Sequence, residues 1–143
     1  MNYLLDTNVV SEWAKPRPEP RVVRWLADVD EDRVFLSVLT LAELERGVNL
    51  LAAGRKRERL RSWLETDILN RFEGRILDVT PSIARQWGRL CAASERRGHP
   101  LGVIDGFVAA TALVTETMLA TRNTDDFKGL GFQLLNPWLG TER

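Results

Sequence analysis

Short apolar runs recur along the chain, separated by longer stretches in which hydrophobic residues repeat at helical spacing. Runs of about four apolar residues that are rich in strand-forming residues are typical of buried strands in a parallel sheet. We therefore predict strands at 2–5, 34–37, 75–79 and 118–121, with a candidate fifth strand at 132–135.

The stretches between the predicted strands have the apolar spacing of amphipathic helices. In the first of them, Thr7 and Asn8 offer N-cap oxygens for a short helix that ends at Trp13. Thr80 followed by Pro81 is a second clear helix start, because proline suits the first helical position. The predicted helices span 7–13, 22–29, 39–54, 55–72, 81–98 and 105–114, with 39–72 forming a helical hairpin.

Strands alternate with helices along the whole chain, and this alternation predicts a parallel sheet. Right-handed crossovers then place helices on both of its faces. The expected fold is α/β, a three-layer α/β/α sandwich with a central, mainly parallel sheet of about four to five strands. A length of 143 residues with 44% hydrophobic residues favours a single domain over 1–143.

The composition excludes several classes of protein. The 20 basic and 20 acidic residues cancel, so any contact with nucleic acid must come from local patches. Cys91 is the only cysteine, which excludes an intrachain disulfide and a cysteine-rich zinc module and favours a cytoplasmic protein. No run reaches the ~18 to 20 apolar residues of a membrane helix, and Asp6 interrupts the apolar start that a signal peptide needs. We expect no membrane association.

Acidic and amide side chains follow the predicted ends of two strands. Asp6 comes directly after the first strand, and Asn123 and Asp126 come after the fourth. Ligands of open parallel sheets bind beyond the carboxyl ends of the strands. Glu43 and Asp105 instead lie in apolar helical sequence, where a carboxylate stays ionised if several of them share a divalent cation. The pattern therefore predicts a cation site.

Each of these acidic residues also has an ordinary structural explanation. Asp6 can cap the helix that follows it, Asp105 can complement a helix dipole, and Glu43 can pair with Arg46 on the surface. The acidic pair at 125–126 fits a polar turn. We favour a shared site because the ordinary explanations would have to hold separately at every position.

Other chemistries have little support in the sequence. His99 is the only histidine, so neither a histidine zinc site nor a serine-histidine-aspartate triad has the spacing that it requires. The glycines at 129 and 131 lack the preceding strand and the following helix of a dinucleotide-binding loop. The five tryptophans mostly occupy apolar helical positions, and the basic run 55–61 is a solvated helix face that could also meet RNA phosphates.

Four segments of the chain, in order, resemble the signature blocks of the PIN-domain family. They read LLDTNVVSEW at the start, SVLTLAELERG in the middle, VIDGFVAATAL later and LATRNTDDFKGLG near the end. Within that family the chain resembles the VapC-type ribonuclease toxins, particularly the FitB-like branch, which shares the opening segment and the closing Asn136, Pro137 and Trp138. The resemblance covers essentially the whole chain.

This resemblance implies a metal site formed by Asp6, Glu43 and Asp105. Asp6 and Asp105 would be direct ligands, and Glu43 would either bind the ion or orient the attacking water. Some members of the family have an acid where this chain has Asn123, and Asp126 would then supply the missing charge or support the site. One firmly bound Mg²⁺ or Mn²⁺ ion is expected, because oxygen ligands suit hard cations. Supporting hydrogen bonds are expected from Thr7, Asn8 and Thr121.

The implied function is hydrolysis of RNA phosphodiester bonds by an endoribonuclease that is the toxin of a type II toxin-antitoxin system. Toxins of this kind form homodimers and are inhibited by a small VapB- or FitA-like antitoxin, which we expect along the helical hairpin 39–72. The antitoxin would also carry the complex to promoter DNA. Two alternatives stay open: a PIN-like module that has lost catalysis and acts with a DNA-binding partner, which Asn123 favours, and a metal-dependent phosphatase or DNA nuclease.

Overall fold

A five-stranded sheet forms the centre of the computed structural model, which describes residues 1–139. The strands are β1 (Tyr3–Leu5), β2 (Val34–Ser37), β3 (Ile76–Leu77), β4 (Met118–Ala120) and β5 (Leu134–Leu135). Their order across the sheet is β3-β2-β1-β4-β5, and every neighbouring pair is parallel. The predicted three-layer α/β/α sandwich is confirmed. The predicted domain boundary at 143 lies outside the described residues.

The strands lie where the apolar runs predict them, with one difference in length. β2 has the predicted bounds, and the other four strands are shorter than predicted. β3 and β5 keep only two residues each. Both are edge strands, so each is supported by a ladder on one side alone.

Helices connect the strands and cover both faces of the sheet. Within residues 1–139 they are α1 (Thr7–Glu12), α2 (Pro20–Asp28), α3 (Val38–Leu50), α4 (Arg55–Ser62), α5 (Leu69–Arg71), α6 (Pro81–Arg96), α7 (Val103–Thr115) and α8 (Thr124–Phe127). A π-helical segment, Trp63–Ile68, joins α4 to α5, and single 3₁₀ turns occupy Glu31–Arg33 and Pro137–Leu139. No helix in this part of the chain is both long and apolar enough to span a bilayer.

Of the two predictions for the start of α1, the structure confirms the cap by Asp6. Asp6, and not Thr7 or Asn8, is the N-cap, because its backbone is extended and its side chain accepts a hydrogen bond from the N–H of Thr7. Thr7 and Asn8 lie inside the first turn of the helix. Their side chains are therefore available for contacts with other elements.

Two hydrophobic cores lie on opposite faces of the sheet, because successive strand residues point to opposite sides. Leu5 and Leu36 belong to the core that packs against α1, α2, α3 and the segment from α4 to α5. Leu4 and Leu119 belong to the core formed with α6 and α7. Adjacent residues of β1 thus anchor both outer layers.

The chain leaves the neighbouring strands β1 and β4 toward opposite edges of the sheet, from β1 to β2 and from β4 to β5. β1 lies between β2 and β4, and its register pairs Leu5 with Ala120. The backbone N–H of Asp6 continues the ladder by donating to the carbonyl of Ala120 at 2.9 Å. Asp6 and Thr121 therefore emerge side by side beyond the carboxyl ends of β1 and β4, where ligands of such sheets bind.

Candidate active site

Asp6 lies directly beyond β1 with both carboxylate oxygens in hydrogen bonds. Oδ1 accepts from the backbone N–H of Thr7 at 2.9 Å, and Oδ2 accepts from the hydroxyl of Thr121 at 2.7 Å. The side chain is buried, with an exposed fraction of 6%. Asp6 thus caps α1 and presents its carboxylate in one orientation, so a structural role and a chemical role are compatible at this position.

The Thr121 hydroxyl connects the elements around Asp6. It is fully buried, donates to Asp6, and accepts from the backbone N–H of Asn123 at 3.1 Å. The side-chain amide of Asn8 donates to the same hydroxyl at 3.5 Å, and Oδ1 of Asn8 accepts from the backbone N–H of Arg122 at 3.3 Å. These bonds join α1 to the segment that follows β4.

Glu43 reaches the same region from α3. Ser37 caps this helix by accepting a hydrogen bond from the N–H of Leu39 at 3.0 Å, so α3 begins directly at the carboxyl end of β2. The Thr7 hydroxyl donates to Oε1 of Glu43. None of the ion pairs within residues 1–139 joins Glu43 to Arg46. The surface ion pair considered for Glu43 is therefore not formed.

Asp105 lies in the first turn of α7 and is half-buried. This end of α7 is pressed against α6 at Gly106, where an added Cβ would come within 2.8 Å of Nε1 of Trp87 and 3.0 Å of Sγ of Cys91. The indole N–H of Trp87 also donates to the carbonyl of Val103 at 3.2 Å. The packing of two helices, and not a hydrogen bond to its carboxylate, therefore positions Asp105.

Four carboxyl groups share one region of negative potential, called the acidic pocket below: Asp6, Glu43, Asp105 and Asp126. Burial raises the pKa of Asp6, and although two hydrogen bonds lower it, the net shift is upward, with contributions from the charges of Glu43 and Asp126. Burial also raises the pKa of Asp105, and the charges of the other three carboxylates add to that rise. Negative charge in the pocket is therefore costly without a cation.

The two candidates for the fourth ligand come from the start of α8. The side chain of Asn123 precedes this helix and forms no capping hydrogen bond. Asp126 is exposed, and its charge acts on both Asp6 and Asp105. Its neighbour Asp125 instead pairs with Lys128 at 2.7 Å, and the hydrogen bond and charge of Lys128 lower the pKa of Asp125.

The donor set fits a hard divalent cation by its chemistry. The four carboxylates offer only oxygen, which suits Mg²⁺ or Mn²⁺ and not zinc. In the part of the chain that the structure describes, no three acidic, histidine or cysteine side chains already stand in an arrangement that could hold a metal ion. Asp6 and Glu43 are linked through Thr7, whereas Asp105 and Asp126 interact with them through charge.

Sequence reasoning did not single out Glu12, a buried carboxylate at the end of α1. Its exposed fraction is 2%, and its carboxylate accepts from the backbone N–H of Glu19 at 2.9 Å and pairs with Lys15 at 2.5 Å. Burial raises the pKa of Glu12, but these partners outweigh that effect and the net pKa is lowered. Glu12 fixes the proline-rich loop after α1. The signal was the same as at Glu43, a carboxylate within apolar helical sequence.

Known proteins similar to this chain agree with the geometry. Toxin FitB of Neisseria gonorrhoeae is 40% identical over 135 residues, which cover 94% of this chain and 97% of that protein. VapC ribonuclease Y4jK of Sinorhizobium fredii is 36% identical over 135 residues, covering 94% of this chain and 96% of that protein. These relatives match this chain over nearly the whole length of both proteins.

A solved structure and a family model give the same result. The structure of FitAB bound to an IR36 DNA fragment contains a chain that is 38% identical, with a TM-score of 0.91 over 99% of this chain and 98% of that one. The PIN domain family model matches residues 3–133, a range that contains all four carboxylates of the acidic pocket. This chain is a member of the PIN domain family.

Proposed function

We propose that this chain is a metal-dependent endoribonuclease that hydrolyses RNA phosphodiester bonds, and that it is the toxin of a type II toxin-antitoxin system. The observation that carries this proposal is the acidic pocket at the carboxyl ends of β1 and β4, in a fold whose relatives are named as VapC ribonuclease and toxin FitB. An RNA substrate implies a cytoplasmic site of action.

Asp6 and Asp105 are the proposed ligands of a Mg²⁺ or Mn²⁺ ion, with Asp126 or Asn123 completing the set. When bound, such an ion activates water as a nucleophile and stabilises the negative charge that develops on the phosphate. Glu43 would bind the ion or accept a proton from the attacking water. The raised pKa of Asp6 and of Asp105 supports a bound cation, because a cation relieves the repulsion that disfavours the ionised forms of these two residues.

Three neutral side chains hold the proposed ligands. The Thr121 hydroxyl donates to Oδ2 of Asp6, and the Thr7 hydroxyl donates to Glu43. Asn8 bonds both Thr121 and the backbone of residue 122, which keeps α1 next to the end of β4. These bonds leave each carboxylate with lone pairs for a metal or a water molecule while fixing its orientation.

The proposed inhibitor is a VapB- or FitA-like antitoxin bound along the helical hairpin 39–72. A groove of about 350 Å³ between α1, α3 and α4 has Leu44, Val48 and Trp63 among its apolar residues, and Thr7 and Glu43 also line it. A partner segment seated in this groove would reach the acidic pocket, where an arginine would be attracted. We also propose that the chain forms homodimers that assemble with antitoxin on promoter DNA; the structure of FitAB bound to a DNA fragment supports the DNA-bound assembly.

Cleavage assays with the purified full chain test the proposed activity. Single-stranded RNA and duplex DNA are offered separately with Mg²⁺, with Mn²⁺ and with a chelator. We expect RNA cleavage that requires the metal and falls by about 100-fold or more in Asp6→Asn, because the variant loses a ligand charge. Asp28→Asn, the same substitution at an exposed residue of α2, should cleave normally. RNA cleavage that persists unchanged in Asp6→Asn would refute the proposal.

The second candidate function is a PIN-like binding module without catalysis. The feature that favours it is Asn123, an amide where some family members have an acid. Wild-type protein that binds a partner but leaves RNA intact in Mg²⁺ and in Mn²⁺ would establish this alternative. Metal-dependent cleavage of duplex DNA without cleavage of RNA would instead establish a DNA nuclease.

A further inference from the structure

A cavity beside the acidic pocket lies between the end of α6 and the start of α7. Its volume is about 710 Å³, which is within the range of ligand cavities in proteins. Asp105 and Asp126 line it together with the basic side chains of Arg97 and Lys128 and the ring of His99. Asp125 also lines the cavity, so its wall combines carboxylates, two of them from the acidic pocket, with basic groups.

The loop that carries Arg97 and His99 has a defined backbone conformation. The backbone N–H of Gly98 donates to the carbonyl of Glu95 at 3.0 Å, and that of His99 donates to the carbonyl of Ser94 at 3.0 Å. Gly98 has a φ of 78°, in the left-handed region that favours glycine at the end of a helix. Arg97 is consequently presented from the capped end of α6.

The two cations of the cavity differ in their partners. Lys128 pairs with Asp125 at 2.7 Å, so part of its charge is already compensated. Arg97 takes part in none of the ion pairs within residues 1–139, and its side chain is exposed. Of the two cations, Arg97 would therefore interact more strongly with an anionic ligand.

A hydrogen-bond donor without a partner among the described residues lines the same cavity. Ser94 has an exposed fraction of 1%, and its Oγ has no hydrogen-bond partner among the described residues. A buried hydroxyl of this kind is unfavourable unless a ligand supplies the missing bond. Gly102, the N-cap of α7, offers no side chain to the first N–H groups of that helix. Arginine, hydroxyl and helix N-terminus together suit a phosphate.

We propose that this cavity is a subsite for single-stranded RNA, in which Arg97 binds the phosphate next to the one that is cleaved. The inference rests on the proposed ribonuclease function and adds a substrate contact to it. The Ser94 hydroxyl and the N-terminus of α7 donate hydrogen bonds to the same nucleotide. The strand would then pass from the acidic pocket, where its scissile phosphate would lie, into a cavity large enough for a nucleotide.

Binding of a labelled single-stranded RNA to the full chain tests this subsite. Ca²⁺ replaces Mg²⁺ to keep the strand intact, and its integrity is checked afterwards on a gel. We expect Arg97→Gln to raise the Kd about 3- to 10-fold and to lower the salt dependence, the slope of log K against log salt concentration, by about 0.7. Arg96→Gln is the matched control, with the same loss of charge at the neighbouring residue, which does not line the cavity. Ser94→Ala should weaken binding without lowering the thermal stability.

The outcomes separate this inference from the proposed function. Equal changes of slope in Arg97→Gln and Arg96→Gln, or an equal loss of affinity for duplex DNA of the same length, would indicate general charge attraction and overturn the subsite. Unchanged RNA binding in Ser94→Ala would exclude its hydroxyl from the contact. If these results overturn the subsite but the wild-type protein still cleaves RNA, the proposed function stands. A wild type that neither binds nor cleaves RNA overturns both.

Discussion

The two halves of the acidic pocket are held in different ways. In the first half, Asp6 accepts two hydrogen bonds and Glu43 accepts one, from donors on α1 and from Thr121 after β4. In the second half, Asp105 and Asp126 accept no side-chain or capping hydrogen bond among residues 1–139, although their charges act on the first half. We call these the bonded half and the packed half.

The difference indicates how the four carboxylates are held close together despite the repulsion between their charges. The bonded half keeps its geometry through neutral donors, whereas the packed half depends on where α7 and α8 lie. Preorganised ligands favour a metal site only if the remaining ligands can approach the ion. The bonded half would therefore fix the position of the ion, and the packed half would adjust to it. This division can be tested from each side.

Removing the donor that orients Asp6 should produce the largest effect on the bonded half. Thr121→Val keeps the shape of a buried side chain but leaves Oδ2 of Asp6 without its hydrogen bond. We expect RNA cleavage to fall about 10- to 100-fold and the free energy of unfolding to fall by about 1 to 3 kcal/mol. Initial rates and urea denaturation measure the two effects.

Thr40→Val is the control for Thr121→Val. Thr40 is also fully buried, but its hydroxyl has no partner among the described residues. The substitution should leave cleavage unchanged and should not destabilise the protein, since it removes an unpaired polar group. Equal losses of activity in both valine variants would show that any change of packing near the pocket has this effect, and would contradict the special role of Thr121.

One part of the bonded half was predictable from the pattern of strands, and the reason is topological. Residues that follow parallel strands emerge at one edge of the sheet, so Asp6 and the segment after the fourth strand were expected at the same edge, whereas Thr121 was expected beside Asp6 only from the family resemblance. The contact between Thr7 and Glu43 was beyond such reasoning, because it depends on the angle between α1 and α3. The same limit explains why the ion pair considered for Glu43 and Arg46 is wrong. Helical spacing allows that contact, but Glu43 instead accepts a hydrogen bond from Thr7.

The fold shows the same contrast between local and tertiary causes. Thr80 and Pro81 start α6 as predicted, because a cap and a proline act through their own backbone. The π-helical segment Trp63–Ile68 was predicted as ordinary helix, since no local signal distinguishes its wider turn. Short edge strands such as β5 also depend on their single neighbour, so their apolar run overstated their length.

The packed half should respond to the contact between α6 and α7. In Gly106→Ala the new methyl group would approach the side chains of Trp87 and Cys91 at 2.8 and 3.0 Å, so either these side chains or α7 must shift, and a shift of α7 would carry Asp105 with it. We expect a loss of about 1 to 3 kcal/mol in the free energy of unfolding. We also expect a higher Mn²⁺ concentration for half-maximal cleavage. Gly88→Ala is the control on α6, because nothing lies within 4 Å of its new Cβ and the helix should gain about 0.5 to 1 kcal/mol. Normal stability and metal response in Gly106→Ala would contradict this packing constraint.

Adding a carboxylate to the packed half should have the smallest effect and be the most informative about Asn123. The Asn123 side chain makes no capping bond, so Asn123→Asp can either improve the N-terminus of α8 or bind the metal. If it binds the metal, the Mn²⁺ concentration for half-maximal cleavage should fall about 3- to 10-fold, and the melting temperature should rise more with Mn²⁺ than in the wild type. Asn70→Asp, an exposed residue of α5, should change neither quantity. A higher melting temperature without metal, at an unchanged Mn²⁺ requirement, would mean that position 123 only caps α8, and Asp126 would then be the remaining candidate for the fourth ligand.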